Sequence, residues 1–177
     1  MQKTDNKMWA YLIHVGYNMW LQRDAKIRLL GDGYVEDYCT ASDTLRFDRD
    51  VWDLVTGNMQ EAGINTLVID LGEGIQYDSH PEIAVKGSLS KNEFSDMLSD
   101  LRKKGITPIP KLNFSTCHDE WLGKYSRYVS TDVYYKVCNN LIKEVIELFD
   151  SPALFHLGMD EETYNHQIKN DMAVIRN

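Results

Sequence analysis

The stretch Ala62-Gly63-Ile64-Asn65-Thr66-Leu67-Val68-Ile69-Asp70 decides how the chain is read. A glycine stands where a helix would end in a left-handed cap, an isoleucine follows, and a short apolar run leads to a carboxylate. Lys104-Gly105-Ile106-Thr107 repeats the pattern before residues 107–112. A unit of helix end, Gly, Ile and strand therefore occurs twice. Residues 66–70 are apolar almost throughout, as in a strand covered on both faces.

Working outward, residues 9–15 are aromatic and β-branched and predict a first strand. Residues 107–112 predict a third, although Pro108 and Pro110 remove two donors from it. Residues 153–158 predict a fourth. Between them lie three helical patterns. In 48–62, Val51, Leu54, Val55, Met59 and Ala62 follow helical spacing, and Gly63 stands just past the end. Ser90 with Glu93 forms a capping box ahead of Phe94, Met97, Leu98 and Leu101, and Gly105 ends that helix. Ser130 or Thr131 caps the third, whose stripe is Val133, Val137, Leu141, Val145 and Leu148; Ser151-Pro152 breaks it. The polar stretch 21–47, with a turn signal at Gly31-Asp32-Gly33, is long for a structureless connection. It predicts a functional loop or local structure of its own.

Alternating strands and helices with apolar strands predict an α/β fold, a parallel sheet joined by right-handed crossovers. Two architectures satisfy this: an open doubly wound sheet, and a parallel (β/α) TIM-type barrel. A dinucleotide fingerprint is missing after the first strand, and Gly72-x-Gly74 after the second lacks the third glycine opening a helix. Polar groups cluster at the C-terminal ends of the strands: His14, then Asp70, then Lys111 and Asn113, then His156 and Asp160. Barrel active sites collect at these ends, and an open parallel sheet binds ligands at the same edge. A whole barrel takes about 250 residues, and the 177 here supply four βα units. The expectation is a single domain over 1–177, the N-terminal half of a (β/α)8 barrel.

Composition narrows the function. With 43% hydrophobic and 26% charged residues, the chain is an ordinary globular one rather than disordered or collagen-like. A formal charge of -8 is the wrong sign for holding a phosphate backbone, so no nucleic-acid partner is expected. No apolar run is long enough to cross a bilayer, so no membrane partner is expected either. The first seven residues contain no apolar segment after their positive charges, and no signal peptide is expected. The compartment stays open: secreted or periplasmic if an upstream signal was removed, otherwise cytoplasmic. Cys39, Cys117 and Cys138 are widely spaced and odd in number, which is neither a disulfide framework nor a zinc motif.

The densest chemistry lies in Phe155-His156-Leu157-Gly158-Met159-Asp160-Glu161-Glu162. A strand runs straight into three carboxylates. Strand alternation puts His156, Gly158 and Asp160 on one face. Two neighbouring carboxylates in a partly dry site cannot both ionise freely, which supplies a proton donor beside an anion. The plainer reading is a helix N-terminus, with Asp160 as cap and Glu161 and Glu162 favouring the dipole. A second cluster, His118-Asp119-Glu120-Trp121, follows the third strand. Its histidine can hydrogen-bond a ligand and its indole can stack on one; as a plain loop, Trp121 would be a packing anchor. His14, Asn18 and Trp20 form a like group after the first strand, and His80-Pro81-Glu82 reads as a turn. A metal site from His14, Asp70, His118, His156 and Asp160 lacks any close-spaced ligand pair. No metal and no cofactor is expected.

His156-Leu157-Gly158-Met159-Asp160-Glu161 resembles the His-x-Gly-Gly-Asp-Glu signature of the β-N-acetylhexosaminidases, glycoside hydrolase family twenty. That signature stands at the end of the fourth barrel strand, and the layout from Trp9 to Glu161 follows it loosely. Pro110-Lys111-Leu112-Asn113 with His118 resembles the family's Pro-Glu-Ile-Asp-x-Pro-Gly-His less closely. Lys111 stands for the Glu, Asn113 for the Asp, and the His lies one residue further along. Met159 replaces the second motif glycine, and the family's first-strand arginine is missing, with His14 and Asn18 nearby. The resemblance implies hydrolysis of glycosidic bonds with Glu161 as general acid/base and Asp160 orienting a substrate acetamido group, a route without a protein nucleophile. The departures imply altered substrate binding. His156, His118, Trp121, Asp70, Asn113, Lys111 and His14 are the expected substrate-binding residues. The alternatives are a carbohydrate-binding or degenerate barrel domain without turnover, and a metal-dependent barrel hydrolase. Because four strands cannot close a barrel, a homodimer or a fragment of a longer chain is expected, weak or inactive by itself.

Overall fold

The computed structural model of the protein describes residues 7–20 and 39–159. Their order is β1 (Ala10–His14), α1 (Arg49–Glu61), β2 (Thr66–Asp70), α2 (Lys91–Lys103), β3 (Thr107–Lys111) and α3 (Asp132–Leu148). Short 3-10 turns cover Gly72–Gly74, Pro81–Ile83 and Glu120–Tyr128. The turn signal at Gly31-Asp32-Gly33 and most of the polar stretch around it lie outside the described residues.

The helix ends show why the repeated unit was legible. After α1, Gly63 has φ 74° and its N–H donates to Gln60 O, while Ile64 N donates back to Met59 O at 3.0 Å. After α2, Gly105 has φ 75° and Ile106 N donates to Leu101 O at 3.0 Å. Both are left-handed C-caps that glycine adopts without a Cβ clash. After α3 the same turn is made without glycine: Asp150 sits at φ 59° and Ser151 N donates to Ile146 O at 2.9 Å.

The helix starts are equally local. Asp48 Oδ1 accepts from the N–H groups of Asp50 and Val51 ahead of α1. The capping box of Ser90 and Glu93 is complete, and Thr131, rather than Ser130, caps α3. The inward faces agree with the spacing in α2, where Phe94, Met97, Leu98 and Leu101 are all buried. In α1 they do not. Met59 is buried, but Val51 and Leu54 are 54% and 63% exposed, and Trp52 and Thr56 turn inward instead. Trp52 offers more apolar area than Val51 and meets Phe47 with ring centroids 5.8 Å apart. Thr56 tolerates burial because its Oγ1 accepts from Lys104 Nζ at 2.8 Å. In α3, Val133 is exposed and its neighbour Tyr134 is buried, while Val137, Leu141 and Val145 face inward as expected.

The three strands form a parallel sheet in the order β1-β2-β3. Leu67 and Ile69, with no exposed surface, join the inward residues of α2 and α3 in one core. The fourth strand expected over 153–158 is not a strand. It is reduced to one isolated parallel bridge between Lys111 and His156, held by His156 N to Pro110 O at 2.9 Å and Leu112 N to His156 O at 3.2 Å. The cause lies in β3. Thr107 N donates to Asn65 O, and Leu71 N to Lys111 O, so odd-numbered β3 residues bond toward β2. Pro108 and Pro110 therefore face residues 153–158 without a donor, and a ladder cannot extend there. A half barrel of four strands is thus not what the described residues form; they form a three-stranded α/β unit with a bridge at its β3 edge.

Candidate functional site

The sheet register brings the strand-end residues into one row. His14 is the partner of Asp70, Asp70 of Lys111, and Lys111 of His156. Register partners in a parallel sheet point to the same face, so the four side chains project together at the C-terminal edge. Asp70 is the centre. Its Oδ2 accepts from His14 Nδ1 at 3.1 Å and lies 3.2 Å from Lys111 Nζ. The Asp70 and Lys111 side chains are only 3% and 6% exposed, whereas His14 is 31% exposed. Two charges held this far from water cost desolvation and persist only with close pairing.

Asn113 is buried two residues beyond β3. Its carbonyl accepts from Trp121 Nε1 at 2.7 Å, and its Oδ1 from Ser115 N at 3.3 Å. Gly158 lies directly against it: a Cβ there would come within 2.6 Å of Asn113 Cα, at a φ of 60°. The motif glycine at 158 thus allows the chain after the bridge to touch Asn113. His156, exposed, accepts through Nδ1 from Gly158 N at 3.0 Å.

Trp121 is 3% exposed and leans on Phe114 with centroids 5.9 Å apart. So little open surface leaves no broad ring face for stacking on a sugar, and the indole's described role is to hold Asn113. It also borders a cleft of about 340 Å³ with Asn18, Glu82, Glu120 and Tyr125. His118 is buried, with Nδ1 3.4 Å from Cys117 Sγ. A chain of edge-to-face rings joins it to the row: His14 to Tyr17 at 5.9 Å, Tyr17 to Trp20 at 5.4 Å, Trp20 to His118 at 6.0 Å. The groups singled out after the first and third strands therefore form one cluster. Asp160, Glu161 and Glu162 lie outside the described residues.

Sequence reasoning missed Glu73. It is buried beside the row, and its Oε1 accepts from Tyr17 N at 2.7 Å and Asn18 N at 3.0 Å. Among the described residues its Oε2 has no hydrogen-bond partner. Burial raises the Glu73 carboxyl above the usual carboxylate range, the Tyr17 and Asn18 N–H groups oppose this, and the charge of Asp70 adds to the rise. Asn18 passes the hold on, exchanging two hydrogen bonds of 2.8 Å with the Ser42 backbone. The available signal was a carboxylate between two glycines, Gly72-Glu73-Gly74, directly after a buried strand. The other titratable groups are plainer. Among the described residues Cys39, Cys117 and Cys138 form no disulfide, and burial pushes the Cys138 thiol up to about 11. Among the described residues no group of three His, Cys, Asp or Glu side chains could hold a metal ion, and no helix is long and apolar enough to cross a membrane.

Comparison with protein-family models and with curated sequences gives no match. Comparison with solved structures gives several. The chain is similar to Streptomyces plicatus N-acetyl-beta-hexosaminidase, in a complex with Thio-NAglucal, at TM-score 0.60 and 13% identity over 95% of this chain and 36% of that one. It is similar to the beta-N-acetylhexosaminidase of Bacteroides fragilis at TM-score 0.52 and 14% identity, over 74% of this chain and 34% of that one. At such identities the likeness is one of fold. The chain spans about a third of the length of these hexosaminidases, and over that third it has a glycosidase-like α/β fold.

Proposed function

We propose that the chain is the N-terminal part of a glycoside hydrolase-like (β/α) barrel acting on a carbohydrate. The observation that carries this reading is the polar row His14, Asp70, Lys111 and His156 at the C-terminal edge of the sheet. Barrel enzymes assemble their sites at that edge, from the ends of several strands. The hexosaminidase-like fold and the Asp160-Glu161 pair, which follows His156 closely in the sequence, support it. In this reading Glu161 protonates the leaving oxygen as the glycosidic bond breaks. Asp160 orients the acetamido group of an N-acetylhexosaminide, whose oxygen attacks the anomeric carbon; water then completes the hydrolysis, with Glu161 as base. His14, Asp70, Lys111, Asn113, His156 and His118 bind the sugar, and Trp121 supports them through Asn113.

The experiment is hydrolysis of aryl glycosides, with and without a chelator, by the wild type, Glu161→Gln and Glu162→Gln. A positioned acid contributes about 100- to 10,000-fold, so Glu161→Gln loses that much and Glu162→Gln little. Loss on Glu162→Gln alone reassigns the acid, and loss on chelation favours a metal-dependent hydrolase.

A second reading is a carbohydrate-binding domain without turnover. The observation favouring it is Lys111, which occupies Asp70 Oδ2 and leaves less of that carboxylate for a substrate. Sugar binding with no hydrolysis of any aryl glycoside selects it. In either reading the site is completed by a second copy or by more chain. Trp9 just before β1, Tyr11 and Leu12 on it, and Leu154, Leu157 and Met159 beyond β3 are exposed apolar side chains suited to such a contact. Light scattering over a range of concentrations tests the two-fold dimer.

A further inference from the structure

The two histidines that end the strand row, His14 on β1 and His156 at the bridge, are held in opposite tautomers. Asp70 offers His14 Nδ1 only a carboxylate oxygen, at 3.1 Å, so in the neutral ring Nδ1 carries the proton and Nε2 is left as an acceptor. Among the described residues His14 Nε2 has no hydrogen-bond partner. Gly158 offers His156 Nδ1 only an N–H, at 3.0 Å, so Nδ1 is the acceptor and the proton resides on Nε2, which is left as a donor. The local structure thus turns two identical side chains into one acceptor and one donor. Their register places them on one face of the sheet, three strand spacings or about 14 Å apart along the row.

Charge between them is already matched. Lys111 is the buried cation among the described residues, and Asp70 lies 3.2 Å from its Nζ. The row therefore offers hydrogen bonds of defined polarity and no surplus positive charge for a carboxylate or sulfate. We infer that His14 and His156 are specificity-determining residues that read the hydroxyl groups of an uncharged sugar, His14 accepting a hydroxyl proton and His156 donating to a hydroxyl oxygen. This rests on the carbohydrate reading above and deepens it, naming the substrate class and the direction of two of its hydrogen bonds.

The test uses the 177-residue chain with 15N-labelled histidine. The ring signals are assigned with His14→Gln and His156→Gln, and long-range proton–nitrogen spectra report which ring nitrogen bears the proton. The expected result is an Nδ1–H tautomer for His14 and an Nε2–H tautomer for His156. In Asp70→Asn the single tautomer of His14 is lost while that of His156 stays; the His156 reading stands alone if Asp70→Asn fails to fold. N-acetylglucosamine should shift the Nε2 signals of both rings, and glucuronic acid at the same concentration should not. Each single His→Gln variant should bind N-acetylglucosamine about tenfold more weakly, the size of one net hydrogen bond. The same tautomer in both rings, or a larger response to glucuronic acid, overturns the inference. Opposite tautomers that ignore both sugars overturn the recognition role. Hydrolysis by Glu161 is scored separately on aryl glycosides, so this inference and the glycosidase reading fail independently.

Discussion

The middle of the sheet and its flanks behave as different materials. Around β2 and α2, Leu67, Ile69, Phe94, Met97 and Leu98 have no exposed surface, and even the charges of Asp70 and Lys111 are buried. On the flanks, Tyr11 and Leu12 of β1, Leu54 of α1 and Leu154 and Leu157 beyond β3 stand in water. Both regions are apolar in composition, so the difference is one of neighbours. The middle has a helix layer on one face and paired strands on both sides. The flanks have backbone and side chains prepared for neighbours that the described residues do not provide. Local hydrophobicity therefore identifies what wants burial, and only the count of surrounding elements says what gets it.

The largest expected effect probes the charges in the middle. Lys111→Met leaves Asp70 buried without its cation, and removing one partner of such a pair costs about 3 to 5 kcal/mol. Urea unfolding should show this loss, and the double variant Lys111→Met with Asp70→Asn should regain part of it. A loss below about 1 kcal/mol, the level of an exposed pair, would mean that the ion pair is open to solvent.

Next is the apolar contrast itself. Leu141→Ala in the core of α3 should cost about 2 to 5 kcal/mol, and Leu54→Ala on the exposed side of α1 no more than about 0.5 kcal/mol. If Leu54→Ala costs as much as Leu141→Ala while the protein is dimeric, the flank is a buried interface rather than a surface.

A smaller effect of opposite sign is expected at the end of α3. Asp150 occupies the left-handed position that glycine fills after α1 and α2. Asp150→Gly relieves the Cβ strain and should stabilise by up to about 1 kcal/mol in thermal unfolding. Destabilisation would show that the Asp150 side chain contributes more than its backbone costs.

The smallest is a pH effect at the join between middle and flank. Burial raises the Glu73 carboxyl, so its folded-state value lies above its unfolded one. Its contribution is then full at low pH and is lost as pH rises through the folded value. The stability of the wild type relative to Glu73→Gln should fall as pH rises from the ordinary carboxylate range through the raised folded value. A rise over that interval would reverse the sign and show a stabilised carboxylate.

Much of this fold is written in short stretches of sequence, because the physics behind it is local. Capping at Asp48, Ser90 and Thr131 needs a side-chain oxygen within three residues of an unpaired N–H. The glycine caps need one residue free of a Cβ, and residues 66–70 need only β-branched and apolar side chains. The strand-end polar residues were visible for a related reason: a strand that leaves the core must end in something water accepts. Beyond that range local reasoning loses its grip. Which face of α1 turns inward depended on Phe47 and Lys104, and Val51 and Leu54 give no hint of it. The fourth strand was removed by prolines in its neighbour, a cause no reading of 153–158 alone contains. Glu73 became a buried carboxyl only because the turn after β1 presents two N–H groups to it. The spacing of His14, Asp70, Lys111 and His156 in the chain says nothing of their alignment, since register is set by pairing between strands far apart in sequence. By itself the sequence determined where the three helices and the three strands that form begin and end, and which residues stand at the ends of those strands. Tertiary structure decided which of them meet, because a contact between distant residues depends on every element that holds both.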